Sequence, residues 1–257
     1  MRRFVALIAC ALVAGACMGA HGASPSPTPA PSATPLSDAA FRAFAQPAAD
    51  KAVLTLADMP SGWVASPIGA SQGYLSLTPQ CSEINDINGN VDYKDSIAEA
   101  QSQKLSAGTA EAEEVTSDVG IYREESAAQQ QYQHFVDLIR MCRTELSSAY
   151  EFEARISGAD YAYAKVDEVP VKDVGDAATA FVIKMEFGKG TQVVDVEWHI
   201  VVMRFVRTVG SVSYALTPSF VQTDADAITK IVADRLSAAN GTLPEPPPGS
   251  STPTIGA

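Results

Sequence analysis

The chain has 257 residues, with 30 acidic against 18 basic side chains and a net charge of −12. That balance excludes the Lys/Arg clusters that nucleic acids and anionic lipid heads require, so no nucleic-acid partner is expected, and any hold on a membrane has to come from something other than charge. Between Pro-rich ends lie roughly 200 residues, enough for one domain with a proper hydrophobic core.

The first feature along the chain is an export signal. Arg2 and Arg3 precede an apolar run from Phe4 to Ala16 that contains no acid, the charge and length profile of a secretory signal. The run is shorter than the about 20 apolar residues of a transmembrane helix, so residues 1–16 read as a removed signal peptide. Val13-Ala14-Gly15-Ala16-Cys17 resembles the lipobox of bacterial lipoproteins, in which small residues precede a cysteine that is lipidated and becomes the new N-terminus. Ala14 stands where the lipobox usually has Leu. Leu7-Ile8-Ala9-Cys10 fits that pattern better, but it leaves an apolar run of only about five residues, too short for the core of a signal. Cys17 is therefore the expected lipidation site, and an ordinary A-x-A secretion site is the alternative. Both readings export the domain. Residues 17–36 follow as a tether, because Pro25, Pro27, Pro29, Pro31 and Pro35 keep the backbone extended and unable to pack.

Ser37-Asp38-Ala39-Ala40-Phe41 starts a short helical pattern ending at Pro47, with Phe41 and Phe44 on one face. Thr55 and Asp58 have N-cap spacing, Pro60 and Gly62 stop the turn, and Trp63-Val64 opens the first strand. Residues 85–93 read as a loop around the turn dipeptide Asn88-Gly89, and "SIAEAQSQKL" after it as a second short helix. Val115, Val119 and Ile121 mark a strand. A capping box at Ser126 and Gln129 then opens a helix whose stripe is Tyr132, Phe135, Val136, Ile139, Cys142 and Leu146.

The second half is rich in β-branched and aromatic residues. "YEFEARI", "DYAYAKV", "TAFVIKMEF" and "TQVVDVEWHIVVMRFVRTV" read as strands, with a hairpin at Gly188-Lys189-Gly190. The last of these exceeds a typical strand length, which predicts a bend or bulge near Met203 and a turn at Gly210. Thr223-Asp224 caps a final helix with Ile228, Ile231, Val232 and Leu236 on its apolar side, ended by Asn240-Gly241. Residues 241–257 are Pro-rich and expected to be disordered. Hairpin-connected strands between helices predict an α+β domain over residues 37–240, an antiparallel sheet of about five or six strands with helices packed on it.

Cys10 and Cys17 belong to the export segment, which leaves Cys81 and Cys142. In an oxidising compartment one such pair reads as a disulfide, closing a loop of about 60 residues. A zinc site is the alternative, but two isolated cysteines without C-x-x-C make a poor one.

"LTLADMPSGW" at 54–63, the pair Cys81 and Cys142, "VGDAATAF" at 174–181 and "DADAITKIVADRL" at 224–236 together resemble the PknH-like extracellular sensor-domain lipoproteins of bacteria. The resemblance covers about residues 50–240 and lies in short structural motifs. It implies a ligand-binding domain, either fused to a receptor kinase or carried alone on a lipid anchor, with an unidentified ligand in a cleft over the sheet. The receptor-kinase form has two disulfides, whereas this chain has cysteines for one. No ligand residues carry over.

Three constellations carry side chains suited to chemistry. Asp86-Ile87-Asn88-Gly89-Asn90-Val91-Asp92 alternates oxygen side chains as calcium loops do, but Val91 and Ile97 occupy the positions that want Gly and Glu, so a plain polar turn is expected. Asp195, Glu197 and His199 share one face of a strand and are expected on its solvated side. His134 is expected at the surface, and His21 lies in the tether. No nucleophile elbow, zinc-protease motif or P-loop is present. These readings predict a non-catalytic, lipid-anchored binding or sensing module on the outer face of a bacterial cell membrane. No cofactor or metal is expected; the expected partners are the membrane, through the N-terminal lipid, and an unidentified small molecule or envelope protein. The alternatives are a carrier of an apolar or lipid ligand, and an enzyme using Asp195, Glu197 and His199.

Overall fold

The computed structural model describes residues 36–68, 75–84, 93–107, 114–171, 173–217 and 220–245. Its architecture follows from two long strands that are apolar on both sides. Successive side chains of β6 (Ala177–Lys189) and β7 (Gln192–Phe205) point to opposite faces. Phe181, Ile183, Ile200 and Val202 enter one core, and Ala180, Val201 and Met203 the other. A strand apolar on both faces has to be covered on both. Helix α2 (Glu125–Ile156) lies on the first face against β5 (Tyr161–Pro170), β6, β7 and β8 (Thr208–Leu216). Helices α1 (Asp38–Ala52) and α3 (Gln222–Thr242) pack together on the second.

The sheet is antiparallel, in the order β1 (Trp63–Ser66), β3 (Lys104–Ala107), β4 (Glu114–Ile121), β8, β7, β6, β5, with β2 (Ala98–Gln101) also paired to β4. It thus has eight strands among the described residues, where five or six were expected. The difference lies in "SIAEAQSQKL", which is no helix. It forms β2 and β3, laid end to end along one edge of β4 and broken at Ser102, whose N–H donates to Ser117 O at 2.8 Å and whose Oγ accepts from Ser117 N at 2.9 Å. Burial of Ala98 and Leu105 and the pairing of an otherwise open strand edge outweigh a weak helical pattern.

Other departures have equally local causes. Helix α1 continues through Pro47 to Ala52, because Ala45, Ala48, Ala49 and Ala52 bury one face, which offsets the roughly 3 kcal/mol that an interior Pro costs. "YEFEARI" is the end of α2 rather than a strand: no breaker follows Leu146 until Gly158, whose φ of 96° lies in the left-handed region. β7 has no bulge at Met203. Its pairing with β6 and β8 is unbroken, and the chain reverses at Val206-Arg207, where Val206 has φ 45°. Gly210 lies within β8, and a Cβ there would sit 2.9 Å from both Asp118 O and a Leu236 methyl. At the C-terminus, α3 runs past Asn240-Gly241 to Thr242 and Leu243 is still buried. No helix among the described residues is long and apolar enough to cross a membrane.

Two contacts bind the layers. Cys81 and Cys142 form a disulfide with Cα atoms 5.8 Å apart, tying α2 to residues 75–84 inside the core that contains Ile84, Leu138 and Ile139. Across the sheet, Arg235 of α3 grips Asp58 with both ends of its guanidinium, at 2.8 and 2.6 Å, and donates to Val53 O at 2.8 Å. This contact joins "LTLADMPSGW" to "DADAITKIVADRL". Between the layers, Asp118 of β4 is fully buried and accepts hydrogen bonds from the Tyr93 phenol and, at 2.8 Å, the Ser211 hydroxyl. Burial outweighs those bonds and pushes its carboxyl up to about 6.

Two outcomes are expected. Replacing Cys81 and Cys142 by Ser lowers stability in urea unfolding by about 4 kcal/mol, the chain-entropy value for a loop of this length. Because the folded protein holds the Asp118 proton above the unfolded value of 3.8, stability falls as pH rises from about 4 through 6. An Asp118→Asn variant lacks that loss, so its stability relative to the unsubstituted chain rises across this window by about 3 kcal/mol, read from urea unfolding at each pH.

Candidate functional site

Helix α3 packs mainly on β8 and, less extensively, on β7. β5 and the Lys184 end of β6 extend beyond it, with Val169 and Lys184 exposed on this face. The sheet surface there is a lattice of cross-strand rows. One row is Asp167, Val182, His199 and Tyr214, running from β5 to β8. Its neighbours are Lys165, Lys184, Glu197 and Leu216 on one side, and Val169, Ala180, Val201 and Val212 on the other. Above these rows lies a cleft of about 480 Å³, walled by Gln222, Asp226 and Thr229 on the first turns of α3.

His199 sits at the centre, only 8 % exposed. Its ring stacks on Tyr214, with centroids 5.0 Å apart and planes 14° from parallel, and Nε2 lies 3.4 Å from Glu197 Oε2. Burial holds the imidazole below its ordinary value of 6.5, against the opposing pull of Glu197. The ring is therefore neutral at pH 7. With Nε2 donating to the Glu197 carboxylate, Nδ1 is left as an acceptor. Tyr214 is held from behind by Phe220 in an edge contact at 5.9 Å, and burial pushes its phenol above 10.0. The carboxylates differ in their partners: Glu197 meets Lys184 at 3.3 Å, Asp167 meets Lys165 at 2.6 Å, and Asp226 accepts from the Gln222 amide at 2.7 Å.

The structure separates the residues singled out in the sequence. Glu197 and His199 line the cleft, but Asp195 lies on an exposed stretch of β7 opposite Glu186, outside it. The three therefore do not converge. The expected solvated face is corrected at His199, which Tyr214 and the adjoining wall of α3 shield from water. His134 is exposed as expected, with Nε2 2.8 Å from Glu83 Oε1. Cys17 and the segment from Asp86 to Asp92 lie outside the described residues. Among the described residues no three His, Cys, Asp or Glu side chains are grouped to hold a metal ion. Sequence reasoning missed Asp167, Lys184, Tyr214 and Asp226, because only the strand register and the seat of α3 bring them to His199.

Two other concavities are mainly apolar. One of about 390 Å³ lies between the end of α2 and β5–β6, over Ala154, Ala162, Ala164, Met185 and Phe187. Another of about 340 Å³ lies between α1 and α3 at Phe44, Pro47 and Ala239. Polar groups from four separate elements, β5, β6, β7 and α3, converge in the cleft at His199, the pattern of a small-molecule site.

No protein-family model matches the sequence, and no curated protein matches it. The fold is similar to the crystal structure of the extracellular domain of PknH from Mycobacterium tuberculosis, over 81% of this chain and 98% of that chain, at 12% identity and a TM-score of 0.46. It is also similar to the crystal structure of the Saccharomyces cerevisiae Ran-binding protein Mog1p, over 72% of this chain and 84% of that chain, at 10% identity and a TM-score of 0.21. At these values neither likeness bears on ligand or activity, and the architecture rests on the chain's own pairing and packing.

The placement of His199 has a direct check. In an NMR titration its imidazole should show a midpoint below 6.5, and Glu197→Gln should lower that midpoint further by removing the carboxylate that favours the charged form. A midpoint at or above 6.5 contradicts the burial described here.

Proposed function

We propose that this chain is a non-catalytic binding or sensing module, anchored through a lipid on Cys17 at the outer face of a bacterial cell membrane, with its ligand in the cleft over β5, β6 and β7. The observation that carries this reading is the cleft, an open concavity of about 480 Å³ in which an apolar floor meets polar groups from four elements. The motif resemblance to the PknH-like sensor domains supports it. So does the disulfide, which fits an oxidising compartment. Asp195 lies outside the cleft, so the three-residue set on which the enzyme reading drew is not assembled there. A second reading, carriage of an apolar ligand, is supported by the concavity of about 390 Å³ under the end of α2.

Two experiments test the two halves of the proposal. Exchange of Cys17 for Ser should move the protein from the membrane fraction to the soluble fraction; unchanged fractionation contradicts the anchor. Val169 is exposed on the edge strand β5 and lines the cleft, so Val169→Trp fills the site from outside without disturbing either core. Small molecules retained by the purified protein and read by mass spectrometry should be lost in that variant. Full retention contradicts the cleft as their seat, and loss only on substituting Ala162 by Trp favours the carrier reading.

A further inference from the structure

One end of the sheet gathers exposed apolar side chains. There α2 stops at Ile156, β5 begins at Tyr161, and β6 turns into β7 after Lys189. The backbone ties this end together, with Asp160 N–H donating to Gly188 O at 2.7 Å and Gly190 N–H to the Asp160 carboxylate at 2.6 Å. Around that frame Phe152, Ile156, Tyr161, Tyr163, Val193 and Val194 are all exposed, Phe152 to 54 % and Ile156 to 61 %. Single exposed hydrophobics are ordinary, whereas a group of large ones at one end marks an interaction surface.

The surface has the form of a groove. Arg140, Glu151 and Arg155 of α2 reach β5, and the helical turn of about 100° per residue puts Phe152 and Ile156 on a flank turned away from that strand. On the sheet face that α2 covers, register pairs Phe187 with Val194 and Met185 with Val196, all exposed or half-buried. Phe187 and Met185 also line the hollow of about 390 Å³ under the end of α2. An apolar wall, an apolar floor and a pocket for an anchoring side chain thus lie at one end. Strand addition is closed off beside them, because on β5 Arg155 Nη2 donates to Ala162 O at 3.3 Å and Glu151 Oε1 accepts from Ala164 N at 3.1 Å. Recognition here runs through side chains.

Charge sets the kind of partner. The carboxylates of Glu153, Asp160, Glu186 and Asp195 have no cation within ion-pair distance among the described residues. Arg155 is held by Glu151 at 3.7 Å, which leaves Lys189 to answer them. We propose that this end docks an amphipathic helix of a protein partner, its apolar stripe on Phe152, Ile156, Val194 and the hollow, and its flanks carrying Lys or Arg. The proposal is independent of the cleft at His199. A second copy of this chain would bring those carboxylates against their own kind across a twofold contact. A membrane with anionic head groups would meet the same repulsion.

Two helical peptides of about 18 residues, one of Leu and Lys and one of Leu and Glu with the same apolar stripe, are matched probes for an NMR titration of the full chain. The Leu/Lys peptide should shift the resonances of Ile156, Met185 and Val194 saturably, with the Leu/Glu peptide at least roughly tenfold weaker. Phe152 and Ile156 are exposed, so a chain carrying both Phe152→Ala and Ile156→Ala should melt unchanged and bind the Leu/Lys peptide about tenfold more weakly. Unchanged affinity in that variant overturns the groove as the docking site. Equal binding of the two peptides overturns the basic character assigned to the partner. Phosphatidylglycerol vesicles that shift the same resonances, or a dimer in sedimentation that the double variant dissolves, overturn the proposal in favour of a membrane or a second copy.

Discussion

Helix α3, 21 residues long, does not cover the four strands beneath it. β5 through β8 are long and paired side by side, and on the face opposite α2 the helix packed on them is α3, chiefly over β8 and β7. Everything distinctive about that face follows from the shortage. Where α3 sits, Val201, Met203 and Val212 join Val232 and Leu236 in a dry core. Where it does not, the same rows of side chains continue into the open as Val169, Asp167 and Lys184, and the border between covered and uncovered sheet is the wall of the cleft. His199 stands at that border and is buried and polar at once.

The other face carries no such vacancy at its centre, because α2 is 32 residues long and lies along β5 to β8. Its hold is reinforced by the disulfide at Cys142, by the Arg140 guanidinium on Glu168 of β5 at 2.7 and 2.9 Å, and by the Tyr132 hydroxyl bonded to Thr179 of β6 at 2.8 Å. The two faces meet in β4. Val115, Val119 and Ile121 look toward α1 and α3, while Asp118 looks the other way. At Gly120 an added Cβ would stand 2.4 Å from the ring of Tyr93, so the strand passes close under an aromatic that hydrogen-bonds the same buried acid. β4 and β8 are thus packed on both faces, and the open part of the sheet is the overhang of β5 and the Lys184 end of β6 beyond α3.

The parts of this arrangement that are legible in the sequence are those with a long, single-valued pattern. The stripe from Tyr132 to Leu146 has one helical interpretation, and β6 and β7 are too rich in β-branched residues on both sides to be surface helices. The misreadings come from short segments that satisfy two periods. Tyr150, Phe152, Ala154 and Ile156 alternate like a strand, yet Ala149 and Tyr150 continue the helical stripe of α2, and Phe152 and Ile156 are left exposed. In "SIAEAQSQKL" the tertiary need of β4 for a partner decides what local preference cannot. The candidate site was legible only along one strand. Glu197 and His199 share a face by alternation alone, but Asp167 and Tyr214 reach them through register, and Asp226 through the seat of α3, neither of which a single sequence displays.

The central claim is that α3 divides one face of the sheet into a sealed half and an open half. It is tested most directly along the row that crosses the division, Val169, Ala180, Val201 and Val212. Single cysteines placed at 169 and at 212 in the oxidised protein, where the native pair is disulfide-bonded and silent, should differ under a maleimide reagent in native buffer. The expected result is rapid labelling at 169 and labelling at 212 only on unfolding. Equal protection at both positions, or ready labelling at 212, would contradict the account.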